Sequence, residues 1–145
     1  MEELVKLLDE DLVYLEHEII GNTVYVQVES IRESAFCPYC GTESKRVHSH
    51  YERRFKDLPI QGKKVEIVLK NLKYFCGNPE CSHKTFAESF ACLPFKGKRS
   101  NRLTEEIVRI SMEVSSVTAS ALLSKCVAKV GKSTICNLLK KQNLK

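Results

Sequence analysis

The chain has 145 residues, 43% hydrophobic and 28% charged, with a formal net charge of +5; that is enough for one ordinary domain or two small ones, and too apolar for a disordered tail. No stretch approaches the ~18 consecutive apolar residues of a membrane span, and Met1-Glu2-Glu3 opens on acids where a secretory signal opens on bases, so a cytoplasmic protein is expected. Charge is segregated: residues 1–32 carry two basic and eight acidic side chains (−6), residues 33–99 thirteen and seven (+6), and residues 100–145 eight and three (+5), so everything after residue 32 favours a polyanion, nucleic acid first and an anionic membrane surface second.

Leu4, Val5, Leu7, Leu8 and Leu12 recur at helical spacing among acids and predict a short amphipathic helix over residues 2–12. From Tyr14 to Val28 the residues become β-branched and aromatic around Gly21-Asn22, the chemistry of a two-residue hairpin loop, which predicts strands at 14–20 and 23–30. A second β region runs from Lys45 to Phe75, with Val65, Ile67, Leu69 and Leu72 near period two and a turn at Pro59-Ile-Gln-Gly62; two or three strands are expected there.

Leu93-Pro-Phe-Lys-Gly-Lys-Arg-Ser100 has no apolar periodicity and reads as a linker over 93–101. Beyond it, Leu103, Ile107, Ile110 and Val114 mark one face of a helix at 102–115, and Thr118 offers an N-cap for a second helix to about 127. Gly131 then precedes a third helix at 132–142 with Ile135, Leu138 and Leu139 facing inward. The expected fold class is α+β: a small β-rich zinc-ribbon domain at 1–92, with the amino-terminal helix and hairpin, followed by a three-helix, helix-turn-helix-like module at 102–145.

Seven cysteines in a cytosolic chain ask for metal binding or burial, since an odd number cannot all pair internally. Cys37-Pro-Tyr-Cys40-Gly41 and Cys76-Gly-Asn-Pro-Glu-Cys81 are two turns that each present two thiolates. Four soft thiolates at ~2.3 Å satisfy a tetrahedral ion and leave no open position, so the reading is one structural Zn2+ held by Cys37, Cys40, Cys76 and Cys81, with no activated water. The spacer between the pairs is longer than in the most familiar patterns and the second pair is spaced by four. A disulfide pair, an iron site of the same geometry and a redox dithiol at Cys37 stay open as alternatives. His48, His50 and His83 are rival ligands better read as ordinary surface or strand residues, and Cys92, Cys126 and Cys136 lack partner spacing.

No nucleophile with a positioned base, phosphate loop or dinucleotide fingerprint appears. The third helix would present Lys132, Ser133, Thr134 and Asn137 to base edges, with Lys140 and Lys141 on phosphates; Lys45, Arg46, Arg53, Arg54, Lys63 and Lys64 would add phosphate contacts from the ribbon, against the plainer reading of a solvated basic face. Val130, Ile135 and Leu138 sit where a helix-turn-helix wants apolar residues, whereas Lys125 and Lys129 occupy positions usually filled by alanine and glycine.

Cys37-Pro-Tyr-Cys-Gly41, Arg46-Val-His-Ser-His-Tyr51, Asp57-Leu-Pro59 with Gly62, and Phe75-Cys76-Gly-Asn-Pro-Glu-Cys81 followed by Lys84-Thr-Phe-Ala-Glu88 together resemble the amino-terminal zinc-finger and helix-turn-helix region of ISL-three-type insertion-sequence transposases. The resemblance implies the same four zinc ligands, recognition of the terminal inverted repeats of a mobile element, and double-stranded DNA as partner, with a second copy or a full-length transposase as a further one. That family continues into a catalytic domain with an RNase H-type acidic triad, whereas this chain stops after the third helix, so a non-enzymatic protein is expected. The rival readings are a zinc-ribbon interaction or dimerisation module and a transcriptional repressor derived from a transposase.

Overall fold

In the computed structural model, which describes residues 1–113, 116–126 and 131–143, the elements run α1 (Glu2–Leu8), β1 (Leu12–Ile20), β2 (Thr23–Ser30), β3 (Ala35–Phe36), β4 (Glu43–Ser44), β5 (Val47–Ile60), β6 (Lys63–Phe75), β7 (Thr85–Ala87), α2 (Asn101–Ser111), α3 (Ser116–Cys126) and α4 (Lys132–Asn143). The main sheet has the order β1-β2-β6-β5, with β7 also pairing to β6, and β3 pairs antiparallel with β4. The fold class is α+β: the described residues form a β-rich sheet region and four helices.

The first helix is shorter than its periodicity predicts. Asp9 is extended, at φ −158° and ψ 131°, and its Oδ1 accepts the Asp11 amide at 2.9 Å. That local turn competes with another helical turn, so Leu12 opens β1 as a fully buried residue instead of closing the helix. Both hairpin turns form where glycine permits: Gly21 has φ +59°, and Gln61 and Gly62 have φ +48° and +76°. Two consecutive left-handed residues are what the tight turn joining β5 to β6 requires, so the second β region resolves into two long strands.

Contacts divide the chain into two units, residues 1–17, 26–54 and 68–91 in the first, and 18–25, 55–67 and 92–145 in the second. In the first, Ala35, Cys37, Tyr74 and Phe86 form a small core against which Leu72, Cys76 and Cys81 pack; the Tyr74 and Phe86 rings stack at 5.8 Å. β7 holds Phe86 there by pairing Tyr74 with Phe86 in antiparallel register.

In the second unit α2, α3 and α4 share a core of Leu103, Ile107, Ala119, Leu123 and Ile135, all fully buried, with Leu58, Ile110, Leu138 and Leu139 packed around it. The apolar spacing of the first and third of these helices is therefore the spacing of their buried face. Val114, Lys129 and Val130 lie outside the described residues, as do the side chains of Lys125 and Cys126. Helix α3 begins at Ser116, so Thr118 stands inside its first turn and is not the N-cap. Residues 93–101 are not a free linker: the Lys56 amide donates to Lys98 O, the Ser100 amide to Lys56 O and the Asn101 amide to Cys92 O, at 2.9, 2.9 and 2.8 Å. A segment without apolar periodicity has found its partners in a strand distant in sequence.

Candidate metal centre

The first cysteine turn is built by backbone hydrogen bonds. Gly41 N–H donates to Cys37 O at 2.8 Å and Cys37 N–H to Thr42 O at 2.9 Å, which curls residues 37–42 so that both sulfurs face one point. The curl needs the left-handed conformation at Gly41, φ +78°, where a side chain costs ~1 kcal/mol or more. A Cβ there would meet nothing within 4 Å, so the cost is conformational alone. Gly41→Ala is expected to weaken zinc binding by about tenfold, a penalty of ~1.4 kcal/mol, read by competition with a chromogenic chelator; unchanged affinity would show that the turn tolerates a right-handed residue.

The second turn explains how a four-residue spacing still makes a metal clip. Asn78 folds the loop back: its carbonyl accepts the Cys81 amide at 3.1 Å and its Oδ1 accepts the Glu80 amide at 3.0 Å. Cys76 N–H donates to Lys84 O at 2.8 Å and His83 N–H points at Cys81 Sγ at 3.5 Å. The two turns also touch through their rings, Tyr39 and His83 stacking at 3.5 Å between centroids and 7° between planes.

These folds place the Sγ atoms of Cys37, Cys40, Cys76 and Cys81 all within 4.8 Å of one another. Cys40 and Cys76 are 3.5 Å apart, Cys37 and Cys81 3.9 Å. Four sulfurs around a tetrahedral zinc at ~2.3 Å stand about 3.8 Å from each other, so the geometry fits one structural Zn2+. No disulfide joins the described cysteines, and His48, His50 and His83 are not in the set: His48 packs edge-on against Phe75, and His83 is taken by Tyr39.

Without the ion, four thiols in one place do not ionise together. The Thr42 hydroxyl and amide bring Cys40 down to about 6, so one thiolate forms readily. The Asn78 amide also favours the Cys76 thiolate, but burial and the adjoining thiols of Cys40, Cys37 and Cys81 outweigh it and push Cys76 up to about 12. Cys81 is raised in the same way against the help of the His83 amide. A divalent cation reverses this by replacing the protons, and the site is built to receive one.

The basic residues named from the sequence fall in both units. Lys45 and Arg46 adjoin the first cysteine turn, with the Arg46 guanidinium 4.6 Å over the Phe75 ring; Arg54 pairs with Glu52 at 3.1 Å; Arg53 is half-buried. Lys63 and Lys64 start β6 in the second unit, together with α4, where Lys132, Ser133, Asn137, Lys140 and Lys141 are exposed and Thr134 is half-buried.

Sequence reasoning missed a buried ion pair in the second unit. Asp57, 4% exposed, accepts the Ser100 hydroxyl at 2.7 Å and the Arg102 Nε at 2.8 Å, and pairs with Arg102 Nη2 as well. Ser100 in turn caps α2, its Oγ accepting the Leu103 amide at 3.3 Å. The only trace in the sequence is Ser100 one residue before the helical pattern, and nothing local points to Asp57.

Compared with known proteins, residues 33–85 match the family model of the zinc-finger of transposase IS204/IS1001/IS1096/IS1165. This stretch, with its four cysteines, is similar to the zinc ribbon of ISL-three-type transposases. No curated protein and no solved structure matches the chain. Among the described residues no helix is long and apolar enough to cross a membrane.

Proposed function

We propose that the chain binds double-stranded DNA and recognises the terminal inverted repeats of a mobile element, the zinc ribbon acting as scaffold and phosphate clamp, and α2, α3 and α4 as a helix-turn-helix-like reader. The observation that carries this reading is the transposase zinc-finger match over residues 33–85. The helices are compatible with it. On α4, Ile135 is buried and Leu138 and Leu139 pack on the shared core, while Lys132, Ser133, Asn137, Lys140 and Lys141 are exposed, the division a reading helix needs between its support and its groove face.

In this reading Lys132, Ser133, Thr134 and Asn137 meet base edges, and Lys140, Lys141, Lys45, Arg46, Arg53, Arg54, Lys63 and Lys64 supply phosphate contacts, without catalysis by this chain. Affinity for an end fragment is expected to fall by about four orders of magnitude between about 50 and about 200 mM salt, the loss for roughly eight neutralised phosphates. Lys140→Ala with Lys141→Ala should lower the slope by about two. An affinity indifferent to salt removes the electrostatic part of the proposal.

A second reading, an interaction or dimerisation module or a transposase-derived repressor, is favoured by apolar side chains in the open: Leu7 and Phe95 are each 75% exposed. Phe95 lies beside Leu93, which is buried, so only part of that expected apolar patch is available to a partner.

A further inference from the structure

We propose that the open edge of β1, with the groove between it and α1, is a docking site for an extended lysine- and arginine-rich segment of another polypeptide, which adds to the sheet as a further strand. The proposal is independent of the DNA reading, which concerns other residues.

β1 ends the order β1-β2-β6-β5, and among the described residues only β2 pairs with it. An edge strand directs alternate N–H and C=O groups outward, and proteins commonly blunt such edges with proline, lysine, a bulge or short length. β1 has nine residues, Leu-Val-Tyr-Leu-Glu-His-Glu-Ile-Ile, without proline, glycine or lysine.

Beside it lies a groove of about 430 Å³ lined by Glu2, Glu3 and Lys6 of α1 and by Val13 and Tyr14 of β1. Consecutive strand residues point to opposite faces of a sheet. A groove lined by both Val13 and Tyr14 therefore opens on the edge of the strand, where an added strand would lie. Helix α1 and the first six residues of β1 belong to the same unit, which gives ~20 Å of pairing length.

Charge selects the occupant. Glu2 and Glu3 rim the groove, Glu16 is exposed on the strand, and residues 1–32 carry −6 while the rest of the chain is basic. The one groove cation, Lys6, turns its Nζ to Glu10 O at 2.9 Å. A field of this sign repels polyanions and attracts a cationic chain. Leu15, 46% exposed, is an open apolar side chain on the same strand, so a segment alternating basic and apolar residues is the best complement.

The test uses the full zinc-loaded chain and a fluorescent peptide of about ten residues alternating lysine and valine, with a twin N-methylated on its pairing edge, which keeps the charge but cannot extend a sheet. The expected results are saturable binding by the first peptide, binding at least about tenfold weaker by the twin, slowed amide exchange at residues 13–17 on binding, and severalfold weakening by Glu2→Gln with Glu3→Gln. Equal binding of the twin, protection confined to other residues, no binding, or occupation of the edge by a second copy of the chain overturns the proposal.

Discussion

Cys76→Ser is expected to release the metal and unfold the ribbon, while the untouched chain purifies with one zinc. Cys76 and Cys81 bring two of the four sulfurs that lie within 4.8 Å, and both also pack on the core of Ala35, Cys37, Tyr74 and Phe86. That core is too small to stand alone; structural zinc contributes on the order of 10–16 kcal/mol to small domains of this kind. Serine is a harder, less acidic donor and leaves three sulfurs, so most of that contribution is lost.

The readouts are metal content by elemental analysis and the amide spectrum of residues 33–85. Chelator treatment of the unaltered chain should reproduce the effect. Acid should do so as well, and the sign follows from the chemistry: binding displaces thiol protons, so lowering the pH weakens it. Cys76, pushed up to about 12 in the absence of the ion, holds its proton across the neutral range, so proton release on zinc binding should be measurable at pH 7. An ordered ribbon in metal-free protein would contradict the assignment of the ion as structural.

The metal centre was legible because its information is local. Each cysteine pair sits in one turn, and proline, glycine and asparagine at those positions prescribe the curl. The Gly21-Asn22 hairpin and the buried faces of α2 and α4 were legible for the same reason, being set by neighbours two to four residues apart. Boundaries were less so: α1 stops at Leu8 because the Asp9 side chain captures the Asp11 amide, a competition that periodicity does not reveal.

What escaped altogether was long-range. The turn end of β5 and β6 shares a unit with the three helices, and residues 93–101 are hydrogen-bonded to Lys56. Asp57 stands in the sequence only among the residues of the family resemblance, and its partners Ser100 and Arg102 lie more than forty positions away. Apolar spacing reports which face of an element is buried, not what it is buried against.

That Asp57 network supports the second large prediction. Asp57→Ala should destabilise the second unit by about 2–3 kcal/mol, the range for losing hydrogen bonds to a charged group, because it leaves a guanidinium that is one-third exposed without its carboxylate and frees the capping serine at once. Asp57→Asn keeps the shape and one acceptor, and should cost less, about 2 kcal/mol, since the charge-assisted bonds are lost. Ser100→Ala removes only the cap and the hydroxyl bond, about 1 kcal/mol. The three residues act as one clamp, so a cycle of Asp57→Ala and Arg102→Ala should show a double variant losing less than the sum, by 1 kcal/mol or more. Denaturant unfolding followed on α2, α3 and α4 reads the series, with zinc content as the control, since the ligands lie in the other unit. Additive losses, or an Asp57→Ala variant within about 0.5 kcal/mol of the parent, would mean that the hydrophobic core of Leu103, Ile107, Leu123 and Ile135 seats the helices without the clamp.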